Sequence, residues 1–312
     1  MSPNNRSLFS YETLVHAIAG SVGSVTAMTT FYPLDTVRSR LQLEETRVSK
    51  GTLQTLIDLM EEEGFRTLYR GLKPTLQSLC VSNFVYFYTF HALKRLRPST
   101  ESSALRDLLF GSVAGVINVL STTPLWVVNT RVKMQGIRNK EFQDGQHFKG
   151  LIDGLYKIYK ADGILALWSG TVPSLMLVIN PAIQFMTYES IKRRFSSHQL
   201  SSFSYFMIAA VAKTIATVLT YPLQLIQTRM RHGAGGRSGG KSIRKNLANR
   251  DNRFTKILMN ILKTQGLSGL FKGMESKILQ TVLTSALMFV IYEKIQRWVR
   301  GVLLAGRNLP KT

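Results

Sequence analysis

Among all residues, Lys213 has the sequence position that most directly indicates a chemical role. It stands alone between a charge-free stretch of 18 residues (195–212) and another of 15 residues (214–228). An ionisable side chain within an apolar segment is costly, and by default it faces a cavity. A lysine there can attract the phosphate groups of a ligand. The alternatives are a side chain that reaches the membrane surface and a structural ion pair.

A proline-leucine pair recurs three times, and each proline is followed seven residues later by an arginine. The prolines are Pro33, Pro124 and Pro222, and the arginines are Arg40, Arg131 and Arg229. A proline within a helix removes one backbone hydrogen bond and kinks the axis. Three equivalent kinks would draw three helix ends together around a pseudo-threefold axis. Charged residues just after the kinks would then meet at the bottom of a central cavity and close it.

A glycine-containing block follows each proline motif and sets the length of the repeat. The closing glycines are Gly71, Gly170 and Gly273, which lie 99 and 103 residues apart. The segment before each of them predicts a short helix at the membrane surface, with glycines turning the chain into the next span. The chain is therefore predicted to contain three tandem repeats, residues 1–100, 101–198 and 199–312.

Six charge-poor segments are long enough to cross a bilayer, which takes about 20 mostly apolar residues. They lie near residues 13–34, 74–93, 107–130, 171–190, 203–228 and 276–295. A soluble helical bundle is the alternative, but segments 75–93 and 108–128 lack the amphipathic face that it requires. The predicted fold class is an all-α membrane protein with six transmembrane helices in three pseudo-symmetric repeats around a central cavity.

Composition and sequence context argue against a metal protein, a nucleic-acid-binding protein and an ATPase. The chain has 40 Lys and Arg against 18 Asp and Glu, and its one cysteine, Cys80, excludes a Cys-rich metal site. A basic nucleic-acid-binding protein would not need six apolar spans, so no nucleic-acid partner is expected. Residues 235–242 match the P-loop pattern of an ATPase, but no apolar strand precedes them and no packing helix follows. We therefore expect neither an enzyme nor a metal site.

These motifs together resemble the mitochondrial carrier family over essentially the whole chain. The match to its signature P-x-[DE]-x-x-[KR] is complete at residues 33–38 and partial in the other two repeats. The resemblance implies a six-helix antiporter without a prosthetic group. The variants Pro124-Leu125-Trp126, Asn180-Pro181-Ala182 and Ala212-Lys213 are similar to the nucleotide and coenzyme carriers of the family, including its peroxisomal-membrane branch.

That narrower resemblance implies a substrate class and a location. The substrates would be CoA, FAD, FMN, NAD and the adenine nucleotides AMP, ADP and ATP, exchanged by alternating access. The location would be the peroxisomal membrane, in contact with its lipids, with cytosolic termini and delivery by a peroxisomal membrane-protein import receptor. One monomer would be the functional unit. The alternative is a mitochondrial inner-membrane carrier of NAD, folate or pyrimidine nucleotides.

The family pattern also locates two gates. At the inner gate Asp35 and Arg38 are the only acid and base, and their equivalents are Trp126 and Asn129, then Gln224 and Gln227. We expect a weak gate in which Asp35 bonds to Asn129 or Gln227, with Arg131 and Arg229 as possible substitutes; the alternative is that Asp35 and Arg38 are only interfacial charges. The predicted outer gate comprises His91, Lys94, Glu189, Lys192, Glu293 and Gln296. His91 is expected to be neutral and hydrogen-bonded, although a pH-sensitive gate is conceivable.

The resemblance places substrate contacts on the cavity face of the even-numbered spans. The predicted contacts are Ser78, Asn83, Tyr86, Asn180, Gln184, Gln280 and Thr281, to which Lys213 is added from the fifth span. Tyr86 lies three residues after Asn83, so the two share a helix face and the ring can stack on a base. Polar side chains in a span can instead hold helices together.

Overall fold

The computed structural model describes residues 22–44, 51–96, 104–135, 148–195, 201–233 and 251–307. Every regular element within these ranges is helical, and none of the ranges contains a strand. The apolar segments that the sequence predicts as spans are continuous helices or nearly so. This agrees with a bilayer environment, in which each backbone N–H and C=O must be bonded within the segment.

The three odd-numbered spans carry the prolines. The first comprises α1 (residues 22–30) and α2 (Tyr32–Leu43), which Phe31 separates, and Pro33 lies at the start of α2. The third and fifth spans are α5 (Ala104–Lys133) and α9 (Ser202–Gly233), and each contains its proline inside a single helix. The proline ring has no N–H to donate, which is tolerated at a helix start and kinks a helix interior.

The even-numbered spans differ from one another. The second span is α4 (Leu72–Leu96) and the sixth begins α11 (Met274–Arg307). The fourth, which the sequence predicts as one span near 171–190, consists of α7 (Thr171–Met176), a 3₁₀ turn (Leu177–Ile179) and α8 (Asn180–Arg194). Pro181 explains the interruption, because it has no N–H to donate to the Leu177 carbonyl, which accepts from the Asn180 N–H instead.

Each repeat also carries a short amphipathic helix between its two spans. These helices are α3 (Thr52–Glu63), α6 (Leu151–Asp162) and α10 (Asp251–Gly269), and 3₁₀ turns Phe65–Tyr69 and Ile164–Trp168 follow the first two. Asp153 accepts hydrogen bonds from Lys157 Nζ (2.9 Å) and the Lys149 N–H (2.8 Å) at the start of α6. These bonds lower the pKa of the Asp153 carboxyl.

Four described helical segments are long and apolar enough to cross a membrane. They are Arg106–Lys133, Ile164–Arg194, Phe203–His232 and Met274–Ile291, and only 11–33% of their most apolar windows is buried in the protein. The remainder offers apolar surface to lipid. The predicted span near 13–34 lies partly outside the described residues. The span near 74–93 forms α4, whose hydropathy is lowered by polar residues such as Ser82 and Asn83.

Packing closes the helices into a ring with its cores at one end. Helix α4 packs on α5, α8 on α9, and α11 on α2 and α9. Three hydrophobic clusters lie at the end near the prolines, one in each repeat. They contain Val37, Leu41, Leu59 and Leu68, then Val127, Val128, Val132 and Ile158, then Leu225, Ile226, Ile261 and Leu270. Each cluster fixes a surface helix to the odd-numbered span of its own repeat.

Candidate functional site

The floor of the ring, just beyond the prolines, contains a buried ion pair between repeats. The carboxylate of Asp35 forms a salt bridge with Arg38 (Nη2 to Oδ1, 2.9 Å) and accepts a second bond from Lys133 Nζ. Lys133 also lies over the ring of Tyr32, 5.3 Å from its centroid. Because Lys133 belongs to the second repeat and Asp35 to the first, this pair ties two repeats together.

Asn129 and Gln227, the expected partners of Asp35, are bonded elsewhere. Thr75 Oγ1 donates to Asn129 Oδ1 at 2.9 Å, and Gln227 Nε2 donates to Ser174 Oγ at 2.7 Å. The expected bond to Asp35 is therefore replaced by the pair with Lys133. The reason is geometric: each of these amides meets a hydroxyl four residues after a closing glycine, on the neighbouring repeat. Gln224 Nε2 donates to Thr220 Oγ1 within its own helix, at 3.1 Å.

Each of the three arginines that follow the prolines bonds within its own repeat, and Arg229 Nε also donates to the Gln42 carbonyl of the first repeat at 2.9 Å. Arg40 forms salt bridges with Glu44 (2.9 Å) and Glu63 (2.8 Å), and Arg131 forms one with Asp162 (2.8 Å). Arg229 Nη2 lies 3.5 Å from Gln265 Oε1. Glu63 and Asp162 precede the glycines that end α3 and α6, and Gln265 precedes Gly266, which interrupts the helical backbone of α10. The structure thus places Arg131 and Arg229 at the surface helices, where they hold each helix end to its span.

Residues nine positions after each proline cross between repeats instead. Besides Lys133, Arg231 donates to Ser174 Oγ (3.3 Å) and lies 5.9 Å from the centre of the Trp126 ring. Gln42 Nε2 donates to Tyr221 Oη at 3.0 Å. A Cβ on Gly71 would lie 2.8 Å from Lys133 Cγ, and one on Gly170 would lie 3.1 Å from Arg231 Cγ. The closing glycines therefore give these long side chains room to reach the neighbouring repeat.

Lys277 adds a further cation to the floor. It lies four residues after Gly273, at the start of the sixth span. It interacts electrostatically with Arg38, Lys213 and Lys133, and with one carboxylate, Asp35. Neither Lys213 nor Lys277 has a hydrogen-bond or salt-bridge partner in the part of the chain that the structure describes. The floor thus carries an excess of positive charge.

The predicted contacts on the even-numbered spans fall into three groups. Ser78 Oγ and Gln280 Oε1 are buried without a partner among the described residues, and Thr281 is buried beside Gln280. Asn83 is exposed, and Tyr86 and Gln184 are half-buried. Asn180 Nδ2 donates to Thr220 Oγ1 (2.6 Å) on α9, so this side chain joins two helices, which was the alternative for polar residues in a span.

A cavity of about 350 Å³ lies between α5 and α8. Small residues of α5, among them Gly111, Ser112 and Gly115, form one wall, and Tyr86 lies at one end. Gln227 and Ser174 lie at the other, where they belong to the floor. The lining therefore runs from Asp107 near the start of α5 down to Ser174 and Gln227 at the closed end of the ring.

The predicted outer gate shows no comparable closure among the described residues. Lys94 Nζ pairs with Asp107 of the adjacent helix at 3.3 Å, and Lys192 with Glu189 one turn away at 3.6 Å. His91 is exposed. The side chains of Glu293 and Gln296 lie outside the described part, as do residues 235–242 with their P-loop pattern. The ring is thus closed at the proline end, whereas the described outer-gate pairs join Lys94 to the adjacent helix and Lys192 to its own helix.

Comparison with known proteins decides the family. The family model described as "Mitochondrial carrier protein" matches three successive segments, residues 9–99, 100–199 and 198–302. The chain belongs to the mitochondrial carrier family. The peroxisomal membrane protein PMP34 of Mus musculus is 52% identical to this carrier over 301 residues, which cover 93% of this chain and 94% of the relative.

Two further relatives of the carrier are named for their solutes. The peroxisomal nicotinamide adenine dinucleotide carrier of Arabidopsis thaliana is 28% identical over 95% of this chain and 98% of the relative. The peroxisomal adenine nucleotide carrier 1 of Glycine max is 31% identical over 92% of each chain. The predicted fold, six transmembrane helices in three repeats around a cavity, is confirmed by family membership. The carrier is a multi-pass protein of the peroxisomal membrane, as the resemblance implied.

Three floor residues of this carrier were missed by the sequence reasoning: Lys133, Arg231 and Lys277. Lys133 and Arg231 share the same distance from their prolines, and that register was the signal available for both. Lys277 stands where the other repeats have Thr75 and Ser174, four residues after the closing glycine. The charge-free stretches point away from all three, because these residues lie just beyond the ends of such stretches.

Proposed function

We propose that this carrier exchanges phosphorylated nucleotides and nucleotide-type cofactors across the peroxisomal membrane by alternating access. The substrates are CoA, FAD, FMN, NAD, AMP, ADP and ATP. One observation carries the proposal: the network around Lys277 includes Arg38, Lys133 and Lys213, but only one carboxylate, Asp35, within the described residues. Unbalanced cations are costly in a low-dielectric cavity, so the site favours an anionic ligand.

The relatives support the same chemistry. One is named as a carrier of nicotinamide adenine dinucleotide and another as a carrier of adenine nucleotides. Both solutes carry phosphates, and phosphate oxygens accept charge-assisted hydrogen bonds from lysine and arginine. Lys213 therefore has the role that its lone position in the sequence suggests. It interacts electrostatically with Lys277 and has no hydrogen-bond or salt-bridge partner in the described part of the chain.

The unequal ends of the ring support alternating access. The ion pair of Asp35 and Lys133 and the amide-hydroxyl bonds close the floor between repeats, whereas at the other end Lys94 bonds to Asp107 of the adjacent helix and Lys192 bonds within its own helix. In this proposal, solute enters from the end opposite the closed floor. Transport then requires the floor to open while the outer end closes, which is a shift between two arrangements of the same repeats.

Competition for uptake tests the proposed substrate class. Purified protein in liposomes loaded with AMP should take up labelled AMP, and external CoA, FAD or NAD should compete. Adenosine, riboflavin and pantetheine, which lack phosphate, should not compete at equal concentration. Folate and pyrimidine nucleotides in the same series test the alternative substrate classes. Equal competition by adenosine and AMP would remove the basis of the proposal.

We also propose that one monomer is the transporting unit, because a single chain contains all three repeats that form the ring. A membrane-protein import receptor of the peroxisome is the expected delivery partner. The mass of the protein in detergent, corrected for bound detergent and lipid, tests the first point. A mass near 35.1 kDa is expected, and a stable dimer that loses exchange on dissociation would contradict it.

A further inference from the structure

Each pair of neighbouring repeats meets at the floor along one contact, which we call a seam. The three seams use equivalent positions. In each seam, the residue four positions after a closing glycine faces the residue five positions after the proline of the next repeat. Thr75 donates to Asn129 at 2.9 Å in the first seam, and Gln227 donates to Ser174 at 2.7 Å in the second. Each of these seams is thus closed by a direct hydrogen bond between neutral side chains.

The third seam places Lys277 opposite Arg38. The two side chains interact electrostatically, but both are hydrogen-bond donors with no acceptor, so they cannot bond to each other. Arg38 uses Nη2 for Asp35, and its Nε is buried without a partner among the described atoms. Lys277 has no bonding partner in the described part of the chain. Among the described residues, the third seam therefore has no direct bond at these two equivalent positions, although Gln42 nearby bonds to Tyr221 and Arg229.

We infer that a phosphate group of the transported substrate binds between Lys277 and Arg38 and completes the third seam. This inference rests on the proposed function and assigns the phosphate to one place at the floor. A phosphate has several acceptor oxygens, so it can accept from Lys277 Nζ and from the Arg38 guanidinium at the same time. Asp35 does not fill this role, because its two oxygens already accept from Arg38 and Lys133.

This arrangement couples binding of the substrate phosphate to closure of the floor. Without an anion, the cations at Lys277 and Arg38 repel each other and oppose closure of the third seam. A bound phosphate replaces that repulsion with two attractions, so it favours the closed floor seen here. Lys213, which interacts with Lys277 from α9, adds a third positive charge near the same phosphate.

The chain itself supplies the design of a decisive variant. Arg38→Gln with Lys277→Ser copies the second seam, Gln227 and Ser174, into the third, so the floor should close without an anion. The unliganded melting temperature of this double variant should equal or exceed that of wild type. AMP and inorganic pyrophosphate should raise the melting temperature of wild type, and the double variant should bind both about 10- to 100-fold more weakly.

A matched control removes one arginine and one lysine that lie away from the floor. Arg66→Gln with Lys263→Ser changes exposed residues near the surface helices and should leave binding as in wild type. If the double variant at the seam does not fold, Lys277→Met, which keeps the pair of Arg38 and Asp35, is expected to show the same loss. Wild-type affinity for AMP in a folded Arg38→Gln, Lys277→Ser protein would overturn the inference.

The same measurements separate this inference from the proposed function. Wild-type protein that binds AMP and pyrophosphate at the seam, but does not exchange AMP in liposomes, would contradict the function and support the site. Wild-type exchange of AMP that is unchanged in the double variant would support the function and contradict the site. Wild-type protein that neither binds nor exchanges AMP would overturn both.

Discussion

At the scale of single residues, the charge on Lys213 is the feature that links sequence to transport. We expect Lys213→Met to weaken uptake of every phosphorylated substrate, because about 1–3 kcal/mol of binding free energy is lost. That is the range for a hydrogen bond to a charged group. Insertion and targeting should be unchanged, because the variant makes the span more apolar. Lys213→Arg should keep part of the activity, since the charge remains while the geometry differs. Initial rates in liposomes measure both, and normal uptake by Lys213→Met would exclude the phosphate role.

The buried pair of Asp35 and Lys133 makes a second residue-scale prediction. Asp35→Asn leaves Lys133 and Arg38 without a carboxylate in the described network, and loss of one partner of a buried pair costs about 3–5 kcal/mol. Adding Lys133→Met removes one of those cations and should restore part of the loss. Thermal unfolding in detergent measures the cycle. Additive losses in the double variant would show that the two side chains do not act as a pair.

Several site residues follow from the sequence, and others do not, for a physical reason. The lone lysine at position 213 and the proline register are properties of the chain itself, so pattern analysis finds them. The partners of Asp35 depend on which side chains of neighbouring repeats meet at the floor. Lys133 reaches across because Gly71 leaves space beside it, and Asn129 is taken by Thr75. Those contacts arise only when three repeats pack in a ring.

At the scale of elements, the short helices depend on close contact with the odd-numbered spans. A Cβ on Gly154 of α6 would lie 2.3 Å from Val128 Cγ1 in α5. Gly154→Ala should therefore force α6 away from the core and destabilise the protein by about 1–3 kcal/mol. Gly150→Ala is the control, because a Cβ there meets nothing within 4 Å and its backbone is extended. Melting temperatures compare the two, and equal values would contradict this packing.

The helices themselves were largely predictable, with one instructive exception. Long charge-free stretches give α5, α9 and α11 directly, because a spanning segment must bond its own backbone groups. The fourth span was predicted as one helix but contains a 3₁₀ turn at Leu177–Ile179. Hydropathy does not indicate this break, whereas Pro181 does, since proline removes the backbone donor that the preceding turn needs.

At the scale of the whole molecule, the P-loop pattern in the third repeat allows a test of the energy source. Exchange driven by substrate gradients does not require nucleotide hydrolysis. Lys241→Ala should therefore leave the rate of exchange unchanged, and purified protein should release no inorganic phosphate from ATP. Loss of exchange in Lys241→Ala together with phosphate release by wild type would revive the ATPase alternative.

The threefold register explains why the sequence reveals the architecture but not the substrate. Proline and glycine recur at equivalent places because each repeat needs the same kinks and turns, so the amino-acid sequence alone reveals three repeats. The floor breaks that symmetry: the positions that hold Thr75 and Ser174 in two repeats hold Lys277 in the third. Selectivity lies in such differences, and their meaning depends on which residues face one another in the ring.

The rate of labelled AMP uptake into liposomes loaded with AMP, with adenosine or with buffer alone tests the central claim most directly. A carrier that exchanges phosphorylated nucleotides through a positively charged floor should take up AMP only when AMP is inside. Liposomes loaded with adenosine should behave like those with buffer. Equal uptake into all three would contradict obligatory exchange, and equal uptake into AMP-loaded and adenosine-loaded liposomes, above that with buffer, would contradict the selection of phosphate.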